Sequence, residues 1–193
     1  TVITEGKASS LILKILDFRE VIFMDLAAQI RNIKDFPQEG VIFRDITTLL
    51  KNPEAMKEAV DRIVEGLKDI EFDYILGPES RGFIFGMPVA YIMNKGFIPV
   101  RKKGKLPAET VSKEYSLEYG TAVIEIHKDA LKPGDKVVVV DDLIATGGTA
   151  KALAELVEEV GAEVCAMTFL IELEDLKGRD VLKDYNVKSI VKY

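Results

Sequence analysis

Residues 137–150 read Val-Val-Val-Val-Asp-Asp-Leu-Ile-Ala-Thr-Gly-Gly-Thr-Ala. The run Val137–Val140 has no polar alternation, which predicts a central parallel strand covered on both faces. Asp141 and Asp142 follow at its carboxyl end, and Ala145-Thr146-Gly147-Gly148-Thr149 leads into the helical pattern of residues 150–157. Strand, small-residue loop and helix in this order form an α/β unit with its ligand site at the strand's carboxyl end.

Such a loop presents backbone N–H groups at a helix amino terminus, where they surround a phosphate, and Thr146 and Thr149 add hydroxyl donors. Gly147 and Gly148 let the backbone come close. The lysine of a GxxxxGK[ST] loop is missing, which argues against a kinase or ATPase. Carboxylates beside a phosphate repel it unless they serve another part of the same ligand. A ribose fits, because its vicinal hydroxyls donate hydrogen bonds that Asp141 and Asp142 can accept. Alone, the acidic pair reads as a helix cap or a solvated strand end; strand, pair and T-G-G-T loop together read as a ribose-phosphate site.

This stretch resembles the 5-phosphoribosyl 1-diphosphate (PRPP) motif of the type I phosphoribosyltransferases. The resemblance implies PRPP as sugar-phosphate donor, pyrophosphate as leaving group, and a nitrogen base as acceptor. It also implies Mg²⁺ as cofactor, held mainly through PRPP with no protein ligand directly assigned.

Working outward, residues 73–76 read as a strand feeding Gly77-Pro78-Glu79-Ser80-Arg81-Gly82, followed by helical residues 83–93. Ser80 and Arg81 at a helix start suit an anion with several oxygens; the alternative is an Arg81 tied to Glu79 or another acid. Residues 79–86, ESRGFIFG, resemble the pyrophosphate loop of adenine phosphoribosyltransferases. Residues 36–46, FPQEGVIFRDI, read on their own as a turn and a buried strand. They resemble the base-binding hood of the same enzymes, which implies that Phe43 stacks on the purine, backbone at Ile42 reads the ring edge, and Arg44 approaches the diphosphate. The basic turn at residues 101–107 is ordinary solvated surface by charge alone; beside two anion loops it makes Lys102 and Lys105 candidate pyrophosphate contacts. Residues 107–119 have weak periodicity and predict a mobile loop that closes over the site and excludes water. Within it, Tyr115-Ser116-Leu117-Glu118-Tyr119-Gly120 resembles the family's catalytic-loop motif. That implies Glu118 as general acid and base at the purine, Tyr119 beside the substrate, and Arg81 stabilising the departing charge. The resemblance likewise puts Leu173 against the purine.

The chain of 193 residues suits one α/β domain, expected over 24–193. Residues 1–23 read as an amino-terminal extension of no assignable role: Lys14, Asp17, Arg19 and Glu20 break their apolar run too early for a membrane span, and no cleavage signal follows. A formal charge of −6 argues against a nucleic-acid surface. The single cysteine, Cys165, reads as core and points to a reducing, cytoplasmic setting; His127 has no second ligand for zinc. From Met24 the pattern predicts a short amphipathic helix ending before Pro37, Asn52-Pro53-Glu54 starts a helix running to Lys68, and Thr121–Ile126, Glu163–Leu173 and Val187–Val191 predict strands. The fold expected is an open, mostly parallel α/β sheet with helices on both faces and a small hood. The function implied by the resemblance is transfer of the phosphoribosyl group from PRPP to adenine, giving AMP and pyrophosphate in purine salvage, by a homodimer with no nucleic-acid or membrane partner. A phosphoribosyltransferase for xanthine or hypoxanthine, or a non-catalytic PRPP-binding regulator, remain alternatives; a regulator would need a basic accessory face, which the acidic composition does not supply.

Overall fold

The computed structural model describes residues 24–116 and 120–193. In chain order its elements are β1 (Arg31–Lys34), β2 (Ile42–Asp45), α1 (Thr47–Lys51), α2 (Pro53–Leu67), β3 (Tyr74–Pro78), α3 (Arg81–Met93), β4 (Gly96–Lys102), β5 (Thr110–Ser116), β6 (Thr121–His127), β7 (Lys136–Ile144), α4 (Gly148–Glu159), β8 (Glu163–Glu172), α5 (Gly178–Val181) and β9 (Val187–Lys192). The main sheet has the order β5-β6-β4-β3-β7-β8-β9. Strands β4, β3, β7, β8 and β9 are parallel, while β6 and β5 extend one edge antiparallel.

The valine run is the reason for two layers of helix. Val138 and Val140 face Ile63 of α2 and Phe85 of α3 in one cluster; Val137 and Val139 face Leu153 and Leu156 of α4 in the other. All four valines are fully buried, each contributing about 1.5–3 kcal/mol against an exposed reference. The fold is thus the expected α/β sheet with helices on both faces. Asn52 caps α2 as its sequence suggested, its side chain accepting from the N–H groups of Glu54 and Ala55 at 3.1 and 3.3 Å, with Pro53 in the first turn. Such a cap contributes about 1 kcal/mol.

Two expectations are corrected. Residues 24–30 form only a single 3-10 turn at Ala27–Gln29, and the chain then enters β1, which pairs antiparallel with β2 from Arg31 opposite Asp45 to Lys34 opposite Ile42. Pairing outweighs the weak helical period. That two-stranded unit is the hood. Residues 110–116 are not an irregular loop but strand β5, paired along β6 from Thr110 opposite His127 to Ser116 opposite Thr121. Its alternation is present in the sequence: Val111, Lys113 and Tyr115 turn inward and Ser112 and Glu114 outward. Cys165 lies where the β7–β8 register slips by one residue. It is half-buried, and burial followed by the charge of Glu163 pushes its thiol up, away from nucleophile chemistry.

Asp45 ties the end of β2 to α1 and to β1. Its Oδ1 accepts from the Thr47 N–H at 2.9 Å and its Oδ2 from Arg31 Nε at 2.9 Å. The backbone bond from Thr47 and then the Arg31 bond hold its carboxyl at about 2, below the ordinary 3.8. A depressed carboxyl stabilises the fold above its ordinary value and loses that contribution as pH falls through the folded value. Asp45→Asn is therefore expected to lower the denaturant midpoint at neutral pH, with the gap to wild type closing between about 4 and about 2. A gap that ignores pH would show that the charge of Asp45 contributes nothing.

Candidate active site

Strands β3 and β7 run side by side, and beyond their carboxyl ends opens a cavity of about 280 Å³. Arg81, Asp141, Asp142 and the whole loop Ala145–Thr149 line it, so most residues expected around PRPP come together. Strand β7 continues through Ile144, so both aspartates project from paired strand backbone rather than from a loop after it. Gly82 lets α3 approach them: a Cβ there would sit 3.0 Å from Asp141 Oδ1 and 2.6 Å from Pro78 Cδ.

The acidic pair is under electrostatic tension. Burial, and next the neighbouring charge of Asp142, push the Asp141 carboxyl well up. Burial also raises Asp142, against the opposing pull of Arg81. Arg81 Nε lies 2.9 Å from Asp142 Oδ2. That contact is an ion pair off the hydrogen-bond axis, because the same buried oxygen has no hydrogen-bond partner among the described residues. Unfilled acceptors at paired carboxylates suit hydroxyl donors. The alternative tie of Arg81 to Glu79 is not the one formed. Glu79 instead pairs with Arg101; burial works to raise its carboxyl, but the Arg101 bond leaves it below its usual range.

At the loop, Gly147 adopts φ +82° and no side chain caps α4, which begins at Gly148. The first N–H groups of that helix lack intrahelical acceptors, and the helix dipole adds about 0.3–1 kcal/mol in favour of an anion. The loop is braced from behind by a segment that the sequence does not single out. A Cβ on Gly147 would come within 2.6 Å of the Gly178 carbonyl oxygen, and one on Gly178 within 2.3 Å of the Ala145 carbonyl oxygen. Arg179 fixes that segment: it donates to both oxygens of buried Glu172 at 2.6 and 2.8 Å and to the Val187 carbonyl at 2.8 Å. Tyr115 is a further lining residue that sequence reasoning misses; its hydroxyl is 3.4 Å from Thr149 Oγ1. Its sequence signals are the inward alternation of β5 and its place at the head of the stretch resembling the catalytic-loop motif.

The other candidates among the described residues do not line this cavity. Phe43 is half-buried on β2, with the Arg81 guanidinium carbon 6.0 Å from its ring centroid; Ile42 beside it is exposed. Arg44 turns toward Tyr193, its guanidinium carbon 3.8 Å from that ring's centroid, while Nη1 donates to Asn32 Oδ1 at 2.6 Å. Ser80 precedes α3 and is exposed, as are Lys102 at the end of β4 and Lys105 in the following turn. Leu173 follows β8, half-buried, and its N–H donates to the Ile144 carbonyl at 3.0 Å. Glu118 and Tyr119 lie outside the described residues.

A family model described as the phosphoribosyl transferase domain matches residues 45–193. The adenine phosphoribosyltransferase of Lachnoclostridium phytofermentans is 58% identical over 168 residues, which span 87% of this chain and 97% of that protein. The crystal structure of adenine phosphoribosyltransferase from Thermoanaerobacter pseudethanolicus is 50% identical and superposes with a TM-score of 0.85, covering 88% of this chain and 98% of that one. The Saccharomyces cerevisiae enzyme, crystallised with an imino-altritol bisphosphate and adenine, is 40% identical with a TM-score of 0.80, covering 86% of this chain and 96% of that one. A central strand ending in an acidic pair, a helix-start anion loop and identity of this extent along nearly the whole length of these relatives lead to one assignment: the chain belongs to the adenine phosphoribosyltransferase family.

Proposed function

We propose that residues 24–193 act as one catalytic domain that transfers the phosphoribosyl group of PRPP to adenine, giving AMP and pyrophosphate. The observation that carries this reading is the cavity itself, lined both by an acidic pair with an unfilled carboxylate oxygen and by an uncapped helix start. Asp141 and Asp142 accept hydrogen bonds from the ribose 2' and 3' hydroxyls, and the backbone of Ala145–Thr149 holds the 5-phosphate with the Thr146 and Thr149 hydroxyls. Ser80, Lys102 and Lys105 contact the diphosphate.

Adenine N9 attacks C1', the bond from C1' to the diphosphate oxygen breaks, and pyrophosphate leaves with that electron pair. The sugar gains oxocarbenium character in between, as in glycosyl transfer. Arg81 lies where it can neutralise the departing charge. Phe43 and Leu173 hold the base in line, backbone at Ile42 reads its edge, and Glu118 takes the proton released from N9. Tyr119 stands next to it in the same site.

Mg²⁺ fits as an ion carried by PRPP. Among the described residues no three His, Cys, Asp or Glu side chains converge on a cation position, whereas Asp142 offers an unfilled carboxylate oxygen beside the ribose site. When bound, the ion lowers the charge of the diphosphate leaving group.

The enzyme acts as a homodimer in the cytoplasm, without nucleic-acid or membrane partners. Met87, Tyr91 and Ile92 form an exposed stripe on α3, Tyr91 at 86%, which supports a covered face there. No helix among the described residues is long and apolar enough to cross a membrane, and the net charge of −6 disfavours nucleic acid.

Pyrophosphate release with PRPP and Mg²⁺, run in parallel with adenine, hypoxanthine, guanine and xanthine, tests the reaction. Release with adenine alone is expected. Release with an oxopurine instead would overturn the base assignment, and PRPP binding without release on any base would make the protein a regulator.

The acidic pair gives a second expectation with opposite signs for stability and binding. A raised carboxyl penalises the fold at pH above its folded value, and the penalty fades as pH falls toward the ordinary range. Asp141→Asn should therefore raise Tm at neutral pH, by about 2–4 °C per kcal/mol relieved, and the gain should shrink on acidification. The same variant should weaken PRPP binding roughly tenfold, the cost of about one charge-assisted hydrogen bond. An unchanged PRPP titration would remove Asp141 from the diol site.

A further inference from the structure

A residue that touches the hood, Tyr193, lies far from it in sequence. Tyr193 follows β9 and is tied on both sides by backbone: its N–H donates to the Glu172 carbonyl at 2.9 Å, and its carbonyl accepts from the Glu174 N–H at 2.8 Å. Those two bonds straddle Leu173, so the tyrosine is registered against the residue read as one flank of the purine. Its side chain reaches the opposite way. The hydroxyl donates to the Ala27 carbonyl at 3.2 Å, and the ring lies beneath the guanidinium of Arg44, 3.8 Å from its centroid. Arg44 follows Phe43, the residue read as the stacking face.

We propose that Tyr193 is a positioning residue that sets the separation between Phe43 and Leu173, and with it the affinity for adenine. This rests on the reading of the hood as the base site. Among the described residues, strands β1 and β2 pair only with each other, with no ladder to the main sheet. A two-stranded unit of four-residue strands does not hold its own orientation, and side-chain contacts must do so. Arg44 suits this role, because its buried Nε has no hydrogen-bond partner among the described residues, and the ring face and Asn32 are the contacts that receive its charge. An arginine over a desolvated aromatic face is a directional contact. A planar base between two flanking side chains tolerates little change in their spacing, whereas the proposed ribose and phosphate sites are built on β7 and α4 and not on the hood strands.

The test is a split between the two substrates. Tyr193→Leu removes ring and hydroxyl and is expected to raise the KM for adenine about tenfold, as joint loss of a half-buried cation–π contact and the hydroxyl's hydrogen bond would, with the KM for PRPP changed less than about twofold. Tyr193→Phe keeps the ring and should restore most of the adenine KM. Arg44→Leu attacks the same contact from the hood: a rise in the adenine KM supports the latch, while a rise confined to the PRPP KM would make Arg44 a diphosphate contact and overturn it. Equal shifts of both KM values in Tyr193→Leu, or no shift in the adenine KM, would also overturn it. Phe43→Ala separates the two failures. If it raises the adenine KM while Tyr193→Leu does not, the latch is wrong and the hood reading stands; if it leaves the adenine KM unchanged, the hood reading itself falls.

Discussion

Two carboxylates held next to each other, largely out of water and without a full set of partners, are the constraint on which this molecule turns. Burial raises both carboxyls, and the charge of Asp142 raises that of Asp141 further; a protein selected only for stability would not keep them. They are tolerated because the strand beneath them is so well buried. The four valines that precede them fill two opposed apolar layers, and the ladders to β3 and β8 fix the backbone from both sides. Stability gathered in the middle of β7 is what permits destabilising chemistry at its end.

Arginines distribute the remaining charge so that the site keeps its own. Glu79 is taken up by Arg101, Glu172 by Arg179, and Asp45 by Arg31. Each pair closes the end of a different strand: β3 beside β4, β8 beside β9, and β2 beside β1. Arg81 is left facing Asp142, the one of these acids that keeps a buried oxygen without a hydrogen bond. An incoming polyanion can therefore recruit Arg81 at the cost of an ion pair alone, with no aligned hydrogen bond to break.

What can be read from residues alone follows this division. The central strand, the capped helix at Asn52 and the loop before α4 are local patterns: a run of one residue type, an N-cap followed by proline, a pair of glycines. Each is decided by neighbours within a turn or two, and each is legible. The turn and strand at residues 24–34 read as a helix because their extended form depends on pairing with residues 42–45, which no local period records. Strand β5 reads as a loop for the same reason, since its partner β6 lies across the segment at residues 117–119. The brace behind the phosphate loop is invisible in the sequence. Gly178 and Arg179 carry no motif, and their contacts with Gly147 and Glu172 arise only when β8 and its return segment are folded onto β7.

The same logic separates the two halves of the site by stiffness. The half read as the ribose-phosphate site is built on a strand whose middle is fully buried and on a loop with no room behind it, where one added methyl group would meet a carbonyl oxygen. Its geometry is set before any ligand arrives, as binding of a small, highly charged group requires if ordering is not to consume the affinity. The half proposed to hold the base is a short hairpin joined to the body by Leu26, Ile30, Ile46 and Leu49 in the core and by polar contacts to Arg62 and Tyr193. A flat aromatic ligand presents little charge and is recognised by the closeness of two faces, so compliance there is useful provided something sets its limit. The Tyr193 ring, registered against the end of β8 by its backbone and touching the hood at Ala27 and Arg44, is placed to set that limit.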